Sequence, residues 1–367
     1  MKIALVHEHL AQDGGAENVL RVFQELYPDA PTFTLVYNAG HAHPSFLQKD
    51  IRTSFLQRMP FGVRRYQWYL PLMPLAVEKY DLMGYDVVLS SASGFAKGVL
   101  TRSDAVHICY CHSPTRYLWT DSNEYVNALP YSRLVKRGIH LLLPFLRQWD
   151  RVAADRVDYF IANSKTVQQR IQKFYRRGST IIPPPVDVDR FSVADTPGNY
   201  FLIGGRLVPY KRYDLAIQAF NRLGMPLKIF GTGPEEQHLR SIAKGTIEFL
   251  GRVNDVDLPR LMNGAIAFIH PQEEDFGITA VESMAAGRPV IAYARGGARE
   301  TVLPGKTGVF FDEQSWESLA DVVLRFKKDD YHPQEIRRWA EEFSREKFVE
   351  RIRTFVNEHS TTADHTV

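Results

Sequence analysis

The chain has 367 residues, of which 44% are hydrophobic and 24% charged, with a formal net charge of +3. This length allows two domains of ordinary size, and the composition is that of a globular protein rather than a disordered one. So small a net charge does not point to nucleic-acid binding. The only cysteines, Cys109 and Cys111, lie two apart in one predicted strand and cannot readily bridge each other, which excludes a disulfide framework and fits a reducing cytoplasm.

The N-terminal sequence MKIALVHEHL turns polar too soon for a secretory signal peptide. The longest apolar run, residues 139–146, is far shorter than the roughly 20 residues that span a membrane. We therefore expect a soluble, cytoplasmic protein, with attachment to the inner face of the cytoplasmic membrane left open.

Buried strands alternate with helical patterns in the first half of the chain, which predicts a doubly wound parallel sheet. Gly14 and Gly15 follow the first strand and precede a helix, where a glycine pair lets backbone N–H groups approach an anion. Their spacing is not that of the dinucleotide G-x-G-x-x-G motif. Apolar runs predict strands at residues 2–9, 32–37, 86–91, 107–112 and 158–163.

His107, Cys109 and Cys111 alternate along one predicted strand and therefore share a face, where they could hold zinc. The sequence offers no second ligand cluster, and burial of the strand explains the cysteines equally simply. We predict no metal site.

Two stretches combine basic residues with few acids. Residues 58–80 mix three arginines with Phe61, Trp68 and Tyr69, and residues 159–186 contain five cations and no acid. Such surfaces are attracted to anionic membranes, but a packed aromatic helix beside a solvated face is an equally good interpretation. Peripheral membrane contact therefore remains one hypothesis. The cations are Arg58, Arg64 and Arg65, then Lys165, Arg170, Lys173, Arg176 and Arg177.

Three prolines, Pro183–Pro185, and the polar residues 192–199 interrupt the pattern and predict a linker. The second half then restarts with a buried strand that ends at Arg206. Lys211 stands just before an amphipathic helix. Two cations so placed could contact the two phosphates of a nucleotide diphosphate, although an ordinary surface pair would look the same.

The segment PQEEDFGITAVESMAAGRP, residues 271–289, follows the apolar run 265–270, which predicts a buried strand. Gly277 predicts a turn, and residues 278–286 predict a short helix whose N-terminus suits a phosphate. Glu274 and Glu282, separated by seven residues, would flank that phosphate and accept hydrogen bonds from sugar hydroxyls. This arrangement resembles the E-x7-E motif of the retaining nucleotide-sugar glycosyltransferases of family 4, whose α/β fold is GT-B.

The resemblance covers essentially the whole chain and implies two Rossmann-like domains, each a parallel sheet flanked by helices, facing a cleft. The first, residues 1–190, would bind the acceptor, with a helix at about 344–358 crossing back onto it. The second, residues 191–343, would bind the nucleotide sugar, and residues 359–367 would form a flexible tail.

The resemblance also assigns roles to residues at matching positions. Arg206 and Lys211 would contact the donor diphosphate, Glu274 would hold the donor sugar, and His112 would contact that sugar or the acceptor; these four are the predicted catalytic residues. Glu300 matches the acid of a G-G-x-x-E loop in the family. The remaining predicted donor-binding residues are Gly14, Gly15, Gly231, Gly233, Arg252, Val253, Phe276, Gly277, Ile278, Thr279 and Glu282.

The implied reaction is glycosyl transfer with retention and without an essential metal or other cofactor. Since no second carboxylate stands out beside the expected anomeric carbon, front-face departure is favoured over a covalent intermediate. The stretch CHSPTRYLW, residues 111–119, is most similar to that of members using GDP-mannose in cell-surface polysaccharide and O-antigen assembly, with a glycan or lipid-linked acceptor. The alternatives are a UDP-sugar donor, a sugar-nucleotide epimerase and a non-catalytic nucleotide-sugar binder.

Overall fold

A computed structural model describes residues 1–120, 122–128, 131–194 and 197–360. These residues form two compact units. The first contains residues 1–183 together with the chain from Val349 onward, and the second contains residues 184–348. The units divide at Pro183, inside the proline run, whereas we expected the boundary at residue 190.

The first unit is built on a parallel sheet of seven strands in the order β3-β2-β1-β4-β5-β6-β7. The central strands are apolar because helices cover both faces of the sheet. Two short strands at the edges, β3 and β7, escaped the sequence analysis. The strands are β1 Ile3–His7, β2 Thr32–Thr34, β3 Ile51–Thr53, β4 Val87–Ala92, β5 Val106–Cys111, β6 Tyr159–Ala162 and β7 Thr180–Ile181.

Six α-helices lie between these strands or beside them. The longest, α5, spans Arg133–Asp155 and is amphipathic, and Ser132 caps its start by accepting a hydrogen bond from the backbone N–H of Val135. The helices are α1 Gly15–Leu26, α2 Met73–Glu78, α3 Arg116–Trp119, α4 Ser122–Ala128, α5 and α6 Lys165–Tyr175.

The second unit has a parallel sheet of six strands in the order β10-β9-β8-β11-β12-β13. Strand β11 coincides with the predicted run 265–270. The strands are β8 Tyr200–Gly204, β9 Leu227–Phe230, β10 Ile247–Gly251, β11 Ala265–His270, β12 Val290–Tyr293 and β13 Gly308–Phe311. The helices are α7 Tyr213–Leu223, α8 Glu236–Ile242, α9 Leu258–Asn263, α10 Ile278–Ala285, α11 Ala298–Thr301, α12 Trp316–Arg325, α13 Pro333–Ala340 and α14 Arg345–Ser360.

Helix α14 begins in the second unit and continues in the first. It extends to Ser360, two residues past the predicted end, and a nitrogen of the His359 ring lies 2.8 Å from the carbonyl oxygen of Phe355. The rest of the predicted tail, residues 361–367, lies outside the described residues, as do residues 195 and 196 of the predicted linker.

Both sheets reverse their strand order at one point, between β1 and β4 in the first and between β8 and β11 in the second. In doubly wound folds, ligands bind outside the carboxyl ends of the strands at such a point. Gly14 and Gly15 follow β1, Arg206 and Lys211 follow β8, and Glu274 follows β11.

Candidate active site

The loop after β11 has the predicted layout. Gly277 ends the loop with φ +91°, a left-handed conformation that favours glycine, and α10 begins at Ile278, followed by Thr279. A Cβ atom at Gly277 would also lie 3.3 Å from Nε2 of His270. Phe276 is buried in the core of the unit. The glycine therefore allows the start of α10 to approach the end of β11.

Lys211 and Glu274 form an ion pair, with Nζ 3.0 Å from Oε1. Burial alone would raise the pKa of the Glu274 carboxyl, but Lys211, His270 and Gln272 together outweigh that effect and the pKa is lowered. Burial alone would lower the pKa of the Lys211 amine, but Glu274 and Tyr210 together outweigh that effect and the pKa is raised. Both side chains are therefore charged at neutral pH.

Arg206 and Lys211 both lie in the connection between β8 and α7. Gly205 has φ +122°, and a Cβ atom there would lie 3.0 Å from Nζ of Lys211. Burial lowers the pKa of Lys211, Glu274 and Tyr210 together raise it by more, and Arg206 adds a smaller lowering, as expected of a neighbouring cation. The structure thus places the predicted cations near each other and near the predicted acid.

Gly231 and Gly233 follow β9 and pack against the connection that carries Arg206. A Cβ atom at Gly231, where φ is +108°, would lie 1.9 Å from the carbonyl oxygen of Gly205. One at Gly233 would lie 2.2 Å from the carbonyl oxygen of Leu207. Both glycines are therefore needed for close backbone packing, and their contact with a donor remains a prediction.

Arg252 and Val253 directly follow β10, after Gly251. Arg252 is exposed and Val253 is partly buried. Their predicted contact with the nucleotide base stays a prediction.

Glu282 lies inside α10, about one turn from its start, and is partly buried. Burial raises the pKa of its carboxyl to about 7, with Arg190 acting in the opposite direction and Asp255 and Asp187 adding to the rise. The two acids of the E-x7-E pattern therefore differ in character. Glu274 is held charged by a cation, whereas Glu282 is poised to change charge near neutral pH.

The sequence analysis missed two polar residues beside Glu274. His270 is fully buried, and the side-chain amide nitrogen of Gln272 lies 3.1 Å from its Nδ1. Burial lowers the pKa of His270 to about 4, so the ring is neutral. Gln272 also hydrogen-bonds to the Glu274 carboxylate and thereby helps to lower its pKa. The available sequence signal was two polar side chains directly after the apolar run 265–269.

Gly296 and Gly297 pack against the backbone that carries Glu274. The N–H of Gly297 donates to the carbonyl oxygen of Glu274 at 2.7 Å, and a Cβ atom at Gly296 would lie 2.4 Å from that oxygen. The G-G-x-x-E loop therefore fixes the position of the acid, and Glu300 lies in the short helix α11 that follows.

In the first unit, His112 directly follows β5 and joins a set of polar side chains at the strand ends. Oγ of Ser91 lies 2.8 Å from Nε2 of His112 and 3.1 Å from Nδ1 of His7. Nε2 of His7 lies 3.8 Å from Oε1 of Glu17 in α1. Burial lowers the pKa of His112 to about 3, so the ring is neutral. His7, Ser91 and Glu17 were not predicted, because single polar residues within apolar patterns carry no periodic signal.

Gly14 and Gly15 connect β1 to α1, which begins at Gly15. A Cβ atom at Gly14 would lie 3.1 Å from Oε2 of Glu17. The glycine loop therefore lies against the same polar set, at the point where the strand order reverses. Contact with donor phosphates remains a prediction.

His107, Cys109 and Cys111, which alternate along β5, are buried in the core of the first unit. Nε2 of His107 lies 2.8 Å from Oγ of Ser90, and burial lowers the pKa of this histidine to about 4. Burial raises the pKa of the Cys109 thiol to about 12, and Cys111 is also buried. Among the described residues, no group of three or more His, Cys, Asp or Glu side chains is arranged to hold a metal ion.

Two family models match adjacent parts of the chain. The model "Glycosyltransferase Family 4" matches residues 14–190, and "Glycosyl transferases group 1" matches residues 187–347. Together they cover both units and every predicted site residue. The chain belongs to the family 4 glycosyltransferases, with the GT-B fold.

Curated relatives include two enzymes named for mannose transfer. A GDP-mannose-dependent alpha-(1-6)-phosphatidylinositol monomannoside mannosyltransferase of Mycobacterium tuberculosis is 31% identical over 220 residues, covering 51% of this chain and 57% of that protein. Mannosylfructose-phosphate synthase of Agrobacterium fabrum is 26% identical over 264 residues, covering 61% and 56%. The chain thus spans little more than half the length of these relatives.

Solved structures share the fold over almost the whole chain. HepE of Anabaena, crystallised with UDP and glucose, has a TM-score of 0.73 at 19% identity and covers 97% of this chain and 99% of its own. Sucrose-phosphate synthase of Thermosynechococcus elongatus has a TM-score of 0.74 at 16% identity, covering 99% and 100%.

Proposed function

We propose that this protein is a retaining glycosyltransferase that moves mannose from GDP-mannose onto a glycan or lipid-linked acceptor in the synthesis of a cell-surface polysaccharide. The observation that carries the proposal is the Lys211–Glu274 pair in the second unit, where the strand order reverses. A cation and a helix start suit a diphosphate, and a carboxylate suits sugar hydroxyls. Relatives at 29–31% identity are named GDP-mannose-dependent mannosyltransferases, which supports this donor.

Donor binding exchanges the partners of this pair. Without a donor, Lys211 and Glu274 neutralise each other. When the donor binds, the ammonium group of Lys211 pairs with the diphosphate, and hydroxyls of the sugar donate hydrogen bonds to Glu274. The exchange keeps both charges compensated, which avoids the cost of leaving either one buried and unpaired.

The chemical step breaks the bond between the anomeric carbon and the phosphate oxygen. The acceptor oxygen forms its bond to the same face of that carbon, and the acceptor proton passes to the departing phosphate. Lys211 and Arg206 stabilise the charge that grows on the leaving group. Removing one such stabilising group typically lowers kcat by about 10²–10³.

The absence of a covalent intermediate distinguishes this mechanism from double displacement. Glu274→Ala should reduce turnover without trapping a sugar on the protein, because Glu274 orients the donor and does not attack it. Mass spectrometry of intact protein incubated with donor provides the measurement, and a covalent glycosyl-enzyme would contradict the mechanism.

We also propose that transfer needs no divalent cation, since Arg206 and Lys211 supply the positive charge beside the diphosphate. Turnover should therefore be equal with and without EDTA. Loss of activity in EDTA, restored by Mg²⁺ or Mn²⁺, would overturn this part of the proposal.

The donor is tested by measuring release of GDP or UDP from a panel of sugar nucleotides, with and without glycan acceptors. Acceptor-dependent release of GDP from GDP-mannose supports the proposal, and release of UDP alone would favour the alternative donor. An epimerase would convert the donor without any acceptor. A non-catalytic binder would leave it unchanged.

Peripheral attachment to an anionic membrane completes the proposal. Helix α5 exposes Leu134, Leu141 and Phe145, and Phe61 and Trp68 are also exposed. Among the described residues, no helix has the length and apolarity required to cross a bilayer. Flotation with anionic liposomes at low salt tests this attachment, and recovery of all the protein in the unbound fraction would exclude it.

The second basic stretch contributes less than its composition suggests. The guanidinium of Arg177 donates to the carbonyl oxygens of Ala154 and Val157, and that of Arg170 lies 3.2 Å from Oγ of Ser113. These two arginines therefore form hydrogen bonds within the first unit that connect α6 and the residues after it to α5 and to the loop after β5. Membrane contact is better supported for residues 58–80 and for α5.

A further inference from the structure

The first unit contains a cavity of about 860 Å³ that the site described above does not use. Most of its wall comes from two segments, residues 66–73 and the first half of α5. The wall is mainly apolar, and its volume is within the range of small-molecule binding sites. The principal wall residues are Trp68, Leu70, Tyr117, Val135, Ile139 and Leu142.

One end of the cavity is polar and lies where the strand order of the first sheet reverses. Glu8 and His9 follow β1, and Ser93 and Gly94 follow β4. The Glu8 carboxylate already accepts hydrogen bonds from backbone N–H groups of residues 93–96. Within the described part of the chain, Nδ1 of His9 is buried and has no hydrogen-bond partner. This end can therefore bind a polar group of a ligand.

The two wall segments lie within longer stretches that are strongly basic, although residues 66–73 themselves contain no Lys or Arg. Residues 58–77 and 131–149 together contain seven Lys and Arg residues and no Asp or Glu. The guanidinium of Arg65 lies over the ring of Trp68, 4.5 Å from its centroid. An apolar cavity with basic surroundings is complementary to an apolar chain that carries an anionic group.

Helix α5 extends this apolar surface to the outside. Val135, Ile139 and Leu142 line the cavity, whereas Leu141 and Phe145 lie on a neighbouring stripe and are 74% and 70% exposed. Helix α5 therefore presents apolar side chains both to the cavity and to the outside.

From these observations we infer that the cavity binds the single apolar chain of a lipid phosphate or diphosphate, the lipid-linked form of the acceptor. The inference rests on the proposed function and specifies its acceptor. The chain lies between α5 and residues 66–73, the basic residues attract the phosphate, and His9 hydrogen-bonds to the polar end of the ligand. Such a site makes acceptor affinity depend on chain length.

The test measures binding of monomeric n-alkyl phosphates, below their micelle concentrations, by isothermal titration calorimetry without donor. For the full-length protein, affinity should rise roughly fourfold for each added methylene until the cavity is filled. Inorganic phosphate should bind far more weakly than the long-chain probes. Affinity that does not depend on chain length would overturn the inference.

A matched pair of variants at Gly138 assigns the effect to the cavity. Gly138 lies at the wall, and a Cβ atom there meets no other atom within 4 Å. Gly138→Trp should fill the space and abolish the dependence on chain length, whereas Gly138→Ala should preserve it. Val135→Trp repeats the test if Gly138→Trp does not fold. Wild-type chain-length dependence in a folded tryptophan variant would refute the assignment.

The double variant Leu141→Gln/Phe145→Gln separates the cavity from the exposed stripe. It should retain the chain-length dependence for monomeric probes. If it loses this dependence while Gly138→Trp keeps it, the apolar contact is a surface contact with lipid, and the cavity proposal fails.

Nucleotide binding by the same proteins separates this inference from the proposed function. The affinity for GDP, and likewise the affinity for UDP, should be the same in the wild type and in both Gly138 variants. Nucleotide binding without any chain-length effect overturns the cavity alone. Chain-length-dependent binding in a protein that binds neither nucleotide supports the cavity and contradicts the proposed function.

Discussion

Two buried pairs of a lysine and a carboxylate, one in each unit, differ in what surrounds them. Lys97 and Asp150 in the first unit are 2% and 1% exposed, and Asp150 also accepts hydrogen bonds from Thr115, Trp119 and Tyr175. Lys211 and Glu274 in the second unit are 11% and 16% exposed. The first pair has its hydrogen-bonding capacity filled by protein. The second remains accessible, as a pair must be if it exchanges its partner for a ligand.

The comparison teaches that burial and charge do not by themselves identify a catalytic pair. The Lys97 amine also donates to the carbonyl oxygen of Gly94 at 2.5 Å, so this pair connects the turn after β4 to α5. The Lys211 pair lies instead beside the start of a helix and at a reversal of strand order. We therefore expect loss of the first pair to affect folding and loss of the second to affect activity.

Asp150→Ala is expected to have the largest effect on stability. Its removal leaves the Lys97 ammonium buried without its counter-charge, which should lower the free energy of unfolding by about 3–5 kcal/mol. Chemical denaturation followed by circular dichroism provides the measurement. A change below about 1 kcal/mol would show that the pair is not the structural element described here.

Lys211→Ala should lower kcat by about 10²–10³ while the protein stays folded, because the developing charge on the leaving group loses its nearest cation. Lys228→Ala is the matched control. Lys228 pairs with Glu248 in the same unit at 3.3 Å, but Glu248 is 58% exposed, so kcat should not change. Equal losses in the two variants would contradict the assigned role of Lys211.

Glu282→Gln should change how stability depends on pH. The folded pKa of about 7 lies above the ordinary value of 4.5, so between these values the unfolded chain releases a proton that the folded protein retains. Stability from this group is fully present below pH 4.5 and is lost as the pH rises through 7. The variant should match wild type near and below pH 4.5 and exceed it by about 3 kcal/mol at pH 8, because one pKa unit corresponds to about 1.4 kcal/mol.

Thermal melting of wild type and Glu282→Gln across this pH range provides the measurement. The variant should also bind the donor more weakly, because the amide replaces a group that accepts sugar hydroxyls. A stability difference that does not change with pH would show that Glu282 titrates normally.

Gln272→Met should have the smallest effect, lowering kcat by about fivefold, because loss of one hydrogen bond to Glu274 costs about 1 kcal/mol. Gln24→Met in the first unit is the control. Gln24 is also buried and donates to Oγ1 of Thr32 at 2.9 Å, so its substitution should reduce stability without reducing kcat. Rescue of kcat by Gln272→Glu would contradict a role as a hydrogen-bond donor to Glu274.

The sequence predicted the central strands, the doubly wound class and the layout around α10. Long apolar runs and a glycine at a strand-to-helix turn are strong local signals, as residues 265–270 and Gly277 illustrate. The short edge strands β3 and β7 were missed because two or three residues cannot establish a pattern. Here secondary structure depends on neighbouring strands rather than on propensity.

Arg206, Lys211 and Glu274 were predicted one by one, but their proximity was not derivable from spacing. Lys211 and Glu274 are far apart in the chain and meet because β8 and β11 are adjacent in the sheet. The shift of the Glu282 pKa depends on burial, which a single sequence does not report. His270 and Gln272 were overlooked because each is a single polar residue at the end of an apolar run.

The contact between the Gly296–Gly297 turn and the Glu274 backbone has a practical meaning for redesign. Substitutions at the predicted nucleotide contacts after β10 would leave the main chain unchanged. Gly296 and Gly297 cannot be substituted in this way, because a Cβ atom at either position would clash with the backbone of residues 274–276 and displace Glu274 from Lys211. Libraries aimed at new sugar donors should therefore hold this turn constant and vary the residues after β10.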